Sequence, residues 1–138
     1  MISSLRAMLE LAQLAGTPLI ARIPANRMTV GNVPRDVAAK SSALTINRAL
    51  GSRIKRVRIG QERYNVRLWA ATADEAESHY QALAATWREL FNVHLPSGAL
   101  LYAVDVSSAG SHLADPDTGW PFVLVGVEAT FAEESVSS

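Results

Sequence analysis

The sequence predicts an α+β domain: a mainly antiparallel four-stranded sheet with two helices packed on one face. Two observations carry this. Apolar and polar residues alternate along four segments at strand spacing, and two other segments carry apolar stripes at helical spacing. A third is the connection between the last two strands, which contains no helical pattern and so favours an antiparallel pair.

In chain order, Leu5, Met8, Leu9 and Ala12 recur at helical spacing, and Gly16-Thr17-Pro18 supplies a stop, so a helix is expected over residues 3–15. Residues 19–23 read as a short strand. Residues 24–40 hold two prolines, Gly31 and two asparagines without lasting periodicity, which predicts a long loop. Loops of that length are usually functional, so this one is expected to contact something on assembly. Leu44 and Ile46 alternate with Thr45 and Asn47 as a half-buried strand, and Gly51-Ser52 breaks the pattern before a basic tract over residues 53–58. Along residues 63–70, Tyr64, Val66, Leu68 and Ala70 point one way. Arg63, Asn65, Arg67 and Trp69 point the other, giving an apolar side for a core and a cationic side with one large exposed aromatic.

Thr72 and Glu75 form a capping box, and Asp74, Glu75 and Glu77 place negative charge at the helix start. The stripe Ala73, Ala76, Tyr80, Leu83, Ala84, Trp87, Leu90 and Phe91 then predicts the central helix, ending at Asn92 and a Pro96-Ser97-Gly98 turn. Leu100, Tyr102, Val104 and Val106 alternate along the next strand. Val123, Val125, Val127, Ala129 and Phe131 form the apolar side of the last, after a loop over residues 107–120. The face away from the helices is expected to carry Thr45, Asn47, Arg63, Asn65, Arg67, Trp69, Glu128 and Thr130. Arginine beside tryptophan is typical of protein contact surfaces.

A length of 138 residues, 49% of them apolar, fits one domain, with a flexible tail expected over residues 132–138. The absence of cysteine excludes disulfides, thiolate metal sites and cysteine nucleophiles. No apolar run approaches the roughly 20 residues of a membrane helix, and the N-terminus does not read as a signal peptide, so a soluble intracellular protein is expected. Net charge is zero but sorted by position. Through Arg67 twelve cations face Glu10, Asp36 and Glu62, a net +9; afterwards Arg88 alone faces ten acids, a net −9. Such segregation permits two oppositely charged surfaces that join identical subunits head to tail.

Chemistry-bearing motifs are sparse, and no enzyme, cofactor or metal site is expected. His79, His94 and His112 lack ligand spacing and read as surface histidines. The segment Asp115-Pro116-Asp117-Thr118-Gly119 resembles the start of a calcium loop, but its proline and missing terminal Glu make a turn the better reading. A small nucleic-acid-binding module using Arg63, Arg67 and Trp69 is the alternative from another class.

The strand 42–48 ahead of a glycine, the strand 63–70 running into the capped helix start 72–76, and the Asp115-to-Gly119 turn before a final strand together resemble the tail-terminator or tail-completion proteins of long-tailed bacteriophages. The resemblance spans roughly residues 17–132. It implies a virion structural protein of the tail or neck, assembled in the host cytoplasm as a ring, commonly hexameric, that caps the tail tube and docks the head connector. A head-completion or stopper protein is the alternative within that class. The implied partners are a second copy, the tail-tube protein and a connector or stopper, with DNA passing through the lumen without specific binding and no membrane. In such a ring Arg53, Lys55, Arg56, Arg58, Arg63, Arg67 and Trp69 are candidates for the subunit interface. Arg27, Met28, Val30, Asn32 and Arg35 are candidates for an axial contact.

Overall fold

The computed structural model describes residues 2–33, 41–49, 60–107 and 110–137. The basic tract 53–58 and Arg35 lie outside the described residues. The elements are β1 (Ile2–Ser3), α1 (Ser4–Ala12), α2 (Pro18–Arg22), β2 (Met28–Val30), β3 (Ala43–Arg48), β4 (Gly60–Trp69), α3 (Ala73–Arg88), β5 (Phe91–His94), β6 (Leu100–Val106), β7 (Ser111–Ala114), β8 (Pro121–Phe131) and β9 (Val136–Ser137).

The expected four-stranded, mainly antiparallel sheet with two helices is overturned. The main sheet has seven strands and is mixed, in the order β2-β3-β4-β8-β6-β5, with β7 pairing β8 beyond the end of β6. β2 runs parallel to β3, and the other pairs of this sheet are antiparallel. The three added strands, β2, β5 and β7, hold only three or four residues each. That is too short to show alternation, and two sit inside segments whose glycines and prolines read as loops.

Two further expectations change. Residues 19–22 lie in α2 and Ile23 caps its end, because Thr17 Oγ1 accepts from Ile20 N at 3.3 Å and Pro18 occupies the first helical turn. Proline there loses no hydrogen bond and its fixed φ suits a helix. The central helix stops at Arg88, with Leu90 N donating to Trp87 O at 3.2 Å, so Phe91 leaves the helical stripe and opens β5 at 65% exposure.

One hydrophobic core lies between the helices and one face of the sheet. α1 contributes Ala7, Met8, Leu11 and Ala12; α3 contributes Ala76, Tyr80, Leu83, Ala84 and Trp87. The sheet answers with Leu44 and Ile46, Tyr64, Val66 and Leu68, and Val123, Val125, Val127 and Ala129. The last residues pass under this core: Ala132 is buried, and Val136 pairs with Ile2 in the parallel β1–β9 bridge.

A polar knot closes the core where β4 meets the start of α1. Glu62 is 7% exposed, and its carboxylate accepts from Ser4 Oγ at 2.6 Å and from the Tyr64 hydroxyl at 2.7 Å. Arg48 Nη2 stands 3.4 Å from the same oxygen and donates to Ser4 Oγ at 2.9 Å. Burying a carboxylate is costly unless donors and a cation compensate it, and here both do. Burial above all raises the Tyr64 phenol well above its ordinary pKa, with the Glu62 charge adding to it against hydrogen bonding to Ser4 and the charge of Arg48.

Because the folded phenol holds its proton more tightly than the unfolded one, its contribution to stability is complete below pH 10 and is lost as pH rises further. Urea unfolding across pH 9–11.5 should show stability falling above about pH 10, and Tyr64→Phe should remove much of that fall. An unchanged alkaline slope in the variant would contradict this. Glu62→Ala should cost about 3 kcal/mol or more in the same measurement, since it strands buried donors and Arg48 together.

Candidate interface on the open sheet face

The sheet face away from the helices can be read row by row from the register. Near one end Arg63 pairs with Glu128, which pairs with Asp105. The next row places Asn47, Asn65 and Gly126 side by side. Then come Thr45, Arg67, Leu124 and Ser111, and finally Ala43, Trp69, Phe122 and Leu113. The residues expected on this face are therefore on it, including Arg63, Arg67 and Trp69.

Trp69 is the correction among them. It is 9% exposed, not an open aromatic, because Trp120 and Phe122 cover it at ring-centroid distances of 5.1 and 4.4 Å. Its indole N–H donates to Thr45 Oγ1 at 3.1 Å, which satisfies a polar atom that burial would otherwise strand. The hairpin between β7 and β8 brings the lid. Asp115 N donates to Trp120 O at 3.0 Å, Gly119 N to Asp115 O at 2.8 Å, and Asp117 N to Asp115 Oδ1 at 2.9 Å. Gly119 takes φ +70°, a left-handed conformation that glycine adopts without strain. Trp120 Nε1 then ties this turn to Ser41 O at 3.1 Å. Alternation along β4 reveals which way Trp69 points; what covers it comes from the β4–β8 register, which sets Phe122 beside it, and from the β7–β8 turn, which brings Trp120.

Among the described residues, one groove on this face borders the aromatic cluster and another lies toward the opposite end of the strands. One, of about 510 Å3, runs past Asn32, Val33, Asn47, Arg67, Asp115 and Thr118. The other, of about 310 Å3, opens over Gly126 between Arg63, Asn65, Asp105 and Glu128. Arg63 Nε meets Glu128 Oε2 at 3.0 Å, and the Arg67 guanidinium lies 5.8 Å over the Phe122 ring. Of the axial candidates, Met28 is 3% exposed and belongs to the core, Val30 is 40% exposed, and Arg27 and Asn32 lie at or near the surface.

His79 is buried, contrary to its reading as a surface histidine. Its Nε2 lies 2.9 Å from Ser42 Oγ, and Ser42 Oγ donates to Glu75 Oε1 at 3.1 Å. The grouping resembles a nucleophile, base and acid without their order. The carboxylate bonds the serine instead of orienting the imidazole, and Nδ1 is buried with no hydrogen-bond partner among the described residues. Burial above all, with the Arg22 charge, lowers the His79 pKa, and Glu75 opposes the shift. The exposed His112 instead meets Glu77 Oε1 at 2.9 Å across the helix–hairpin seam.

No protein-family model matches this chain, and no curated protein does. Solved structures do. A chain from the virion of a native gene transfer agent particle superposes with a TM-score of 0.56 at 12% identity, covering 90% of each chain. A second solved chain superposes with a TM-score of 0.50 at 19% identity, covering 93% of this chain and 94% of the other. At these identities the likeness is one of fold.

A His79 pKa below its ordinary value favours the neutral folded form, so this contribution to stability is present above about pH 6.5 and lost as pH falls. His79→Gln should flatten the decline between pH 6.5 and 5, read as the urea midpoint; an unaltered decline would rule out His79 as its source. On the open face, Trp69→Ala should cost about 3–5 kcal/mol. Thr45→Val should cost about 1–3 kcal/mol by stranding the indole N–H. A double-mutant cycle should show the two losses to be non-additive.

Proposed function

We propose that this chain is a structural protein of a phage-like virion, one that assembles as a ring, caps the tail tube, ends its polymerisation and offers a docking surface to the head connector. The observation that carries the reading is the fold shared with a chain of the gene transfer agent virion over 90% of both lengths. The order of sequence elements that resembles tail terminators supports the finer assignment, and a hexamer is the expected ring.

The role is passive and non-catalytic. The Ser42, His79 and Glu75 grouping lacks the hydrogen-bond order that would activate a nucleophile. The nucleic-acid alternative loses its stacking residue, because Trp69 is sandwiched by Trp120 and Phe122 instead of presenting a ring face to a base. Arg63 is also engaged by Glu128, which weakens a phosphate-binding reading further.

Purified protein added to polymerising tail-tube subunits should arrest tube growth and appear at tube ends by negative-stain imaging. Unchecked growth with binding to the head connector would assign the chain to the stopper layer instead. Tight, steeply salt-dependent binding to single-stranded DNA without any effect on tubes would contradict the structural reading.

A further inference from the structure

The main sheet ends on β2 at one side and on β5 at the other, and among the described residues neither outer edge has a strand partner. An unpaired edge offers a row of backbone donors and acceptors to another strand. Each edge here also presents an exposed apolar side chain, Val30 at 40% on β2 and Phe91 at 65% on β5, with Tyr102 at 37% on the neighbouring β6. Exposed aromatics at a sheet edge are the kind of residue that interfaces bury.

The two edges differ in charge. Arg27 leads into β2, and β3 and β4 add Arg48, Arg63 and Arg67, with the buried Glu62 their only acid. Arg88 and Glu89 lead together into β5, whose own four residues hold no acid, and the strands beside it carry Asp105 and Glu128. From Glu89 to the C-terminus there is no lysine or arginine. The strand order places β2, β3 and β4 together on one side and β8, β6, β7 and β5 on the other, so strand by strand the charge is sorted across the sheet, although the β7–β8 turn brings Asp115 to the groove that it shares with Asn32 and Arg67.

From this we propose that the β2 edge of one copy pairs with the β5 edge of the next, in a head-to-tail contact that seats Val30 beside Phe91 and sets the basic half of one sheet against the acidic half of the next. Like edges meeting across a two-fold axis would bring Arg27 toward Arg27 and set acid against acid. Unlike edges bring halves of opposite net charge together and bury apolar surface from both, and a heterologous contact of this kind closes into a ring when its rotation permits. This inference rests on the ring reading above and names the surface through which the ring is built.

The chain contains no cysteine, so single introduced thiols report contacts without background. Full-length Val30→Cys and Phe91→Cys proteins, both changed at exposed positions, would be mixed at low salt under mild oxidation and run without reductant. The expected product is the mixed 30–91 bridge, in excess over both self-pairs. Raising the salt concentration should lower its yield, because the contact joins halves of opposite net charge. Oligomers seen by light scattering in which no 30–91 bridge forms would overturn this edge pairing while leaving the ring reading standing. Predominant 30–30 or 91–91 bridges would replace it with a two-fold dimer. A monomer at every salt and protein concentration would overturn both.

Discussion

Ten registered pairs join β4 to β8, from Gly60 and Phe131 to Trp69 and Phe122, and this ladder is the centre of the main sheet, with β3 beyond β4 and β6 and β7 beyond β8. On the helix side it sets Tyr64, Val66 and Leu68 against Val127, Val125 and Val123, the floor on which α3 rests. On the other side it sets Trp69 against Phe122 and Arg63 against Glu128. A slip of one residue would carry the arginines into the core and the valines into water. Burial on both faces therefore fixes the register more firmly than the backbone hydrogen bonds could alone.

The same ladder is the line along which the charge divides. β8 is last among the main-sheet strands in sequence yet inserts beside β4, which pushes β6 and β5 outward. Strands β2, β3 and β4 thereby build one half of the sheet and β5 to β8 the other, and only the β7–β8 turn brings acids, Asp115 among them, toward the basic half among the described residues. Arg63 and Glu128 touch where the halves meet, but both side chains keep contact with water, at 61% and 27% exposure. A pair so exposed adds little stability. The wider consequence is a subunit with unlike sides, and such a subunit favours head-to-tail contacts over two-fold ones.

Much of the sheet was legible because β4 and β8 alternate over ten and eleven residues, long enough for period two to stand out, whereas in β6 a bulge between Leu101 and Ala103 buries Leu101 and leaves the expected core residue Tyr102 37% exposed. The helix start at Thr72 was legible because its hydroxyl accepts from Glu75 N at 3.2 Å, a bond that the residue pattern announces. Other features were hidden by distance. β2 exists because Met28, Thr29 and Val30 lie beside Leu44, Thr45 and Ile46, a pairing that three residues cannot advertise. Burial of His79 depends on elements far away in sequence, among them Ser42. The open face was half legible: alternation placed Arg63, Arg67 and Trp69 together, while Trp120 covers Trp69 from a turn within the segment 107–120 that read as a loop.

The central claim is that a sheet divided in charge at β4 and β8 joins copies of itself through its two unlike edges. Single-particle cryo-electron microscopy of the purified oligomer tests it most directly. The account predicts equivalent copies related by one rotation axis, with each β2 edge against the next copy's β5 edge and Val30 within contact of Phe91. Copies related by two-fold axes with like edges facing, or a ring in which both edges stay open to solvent, would contradict it.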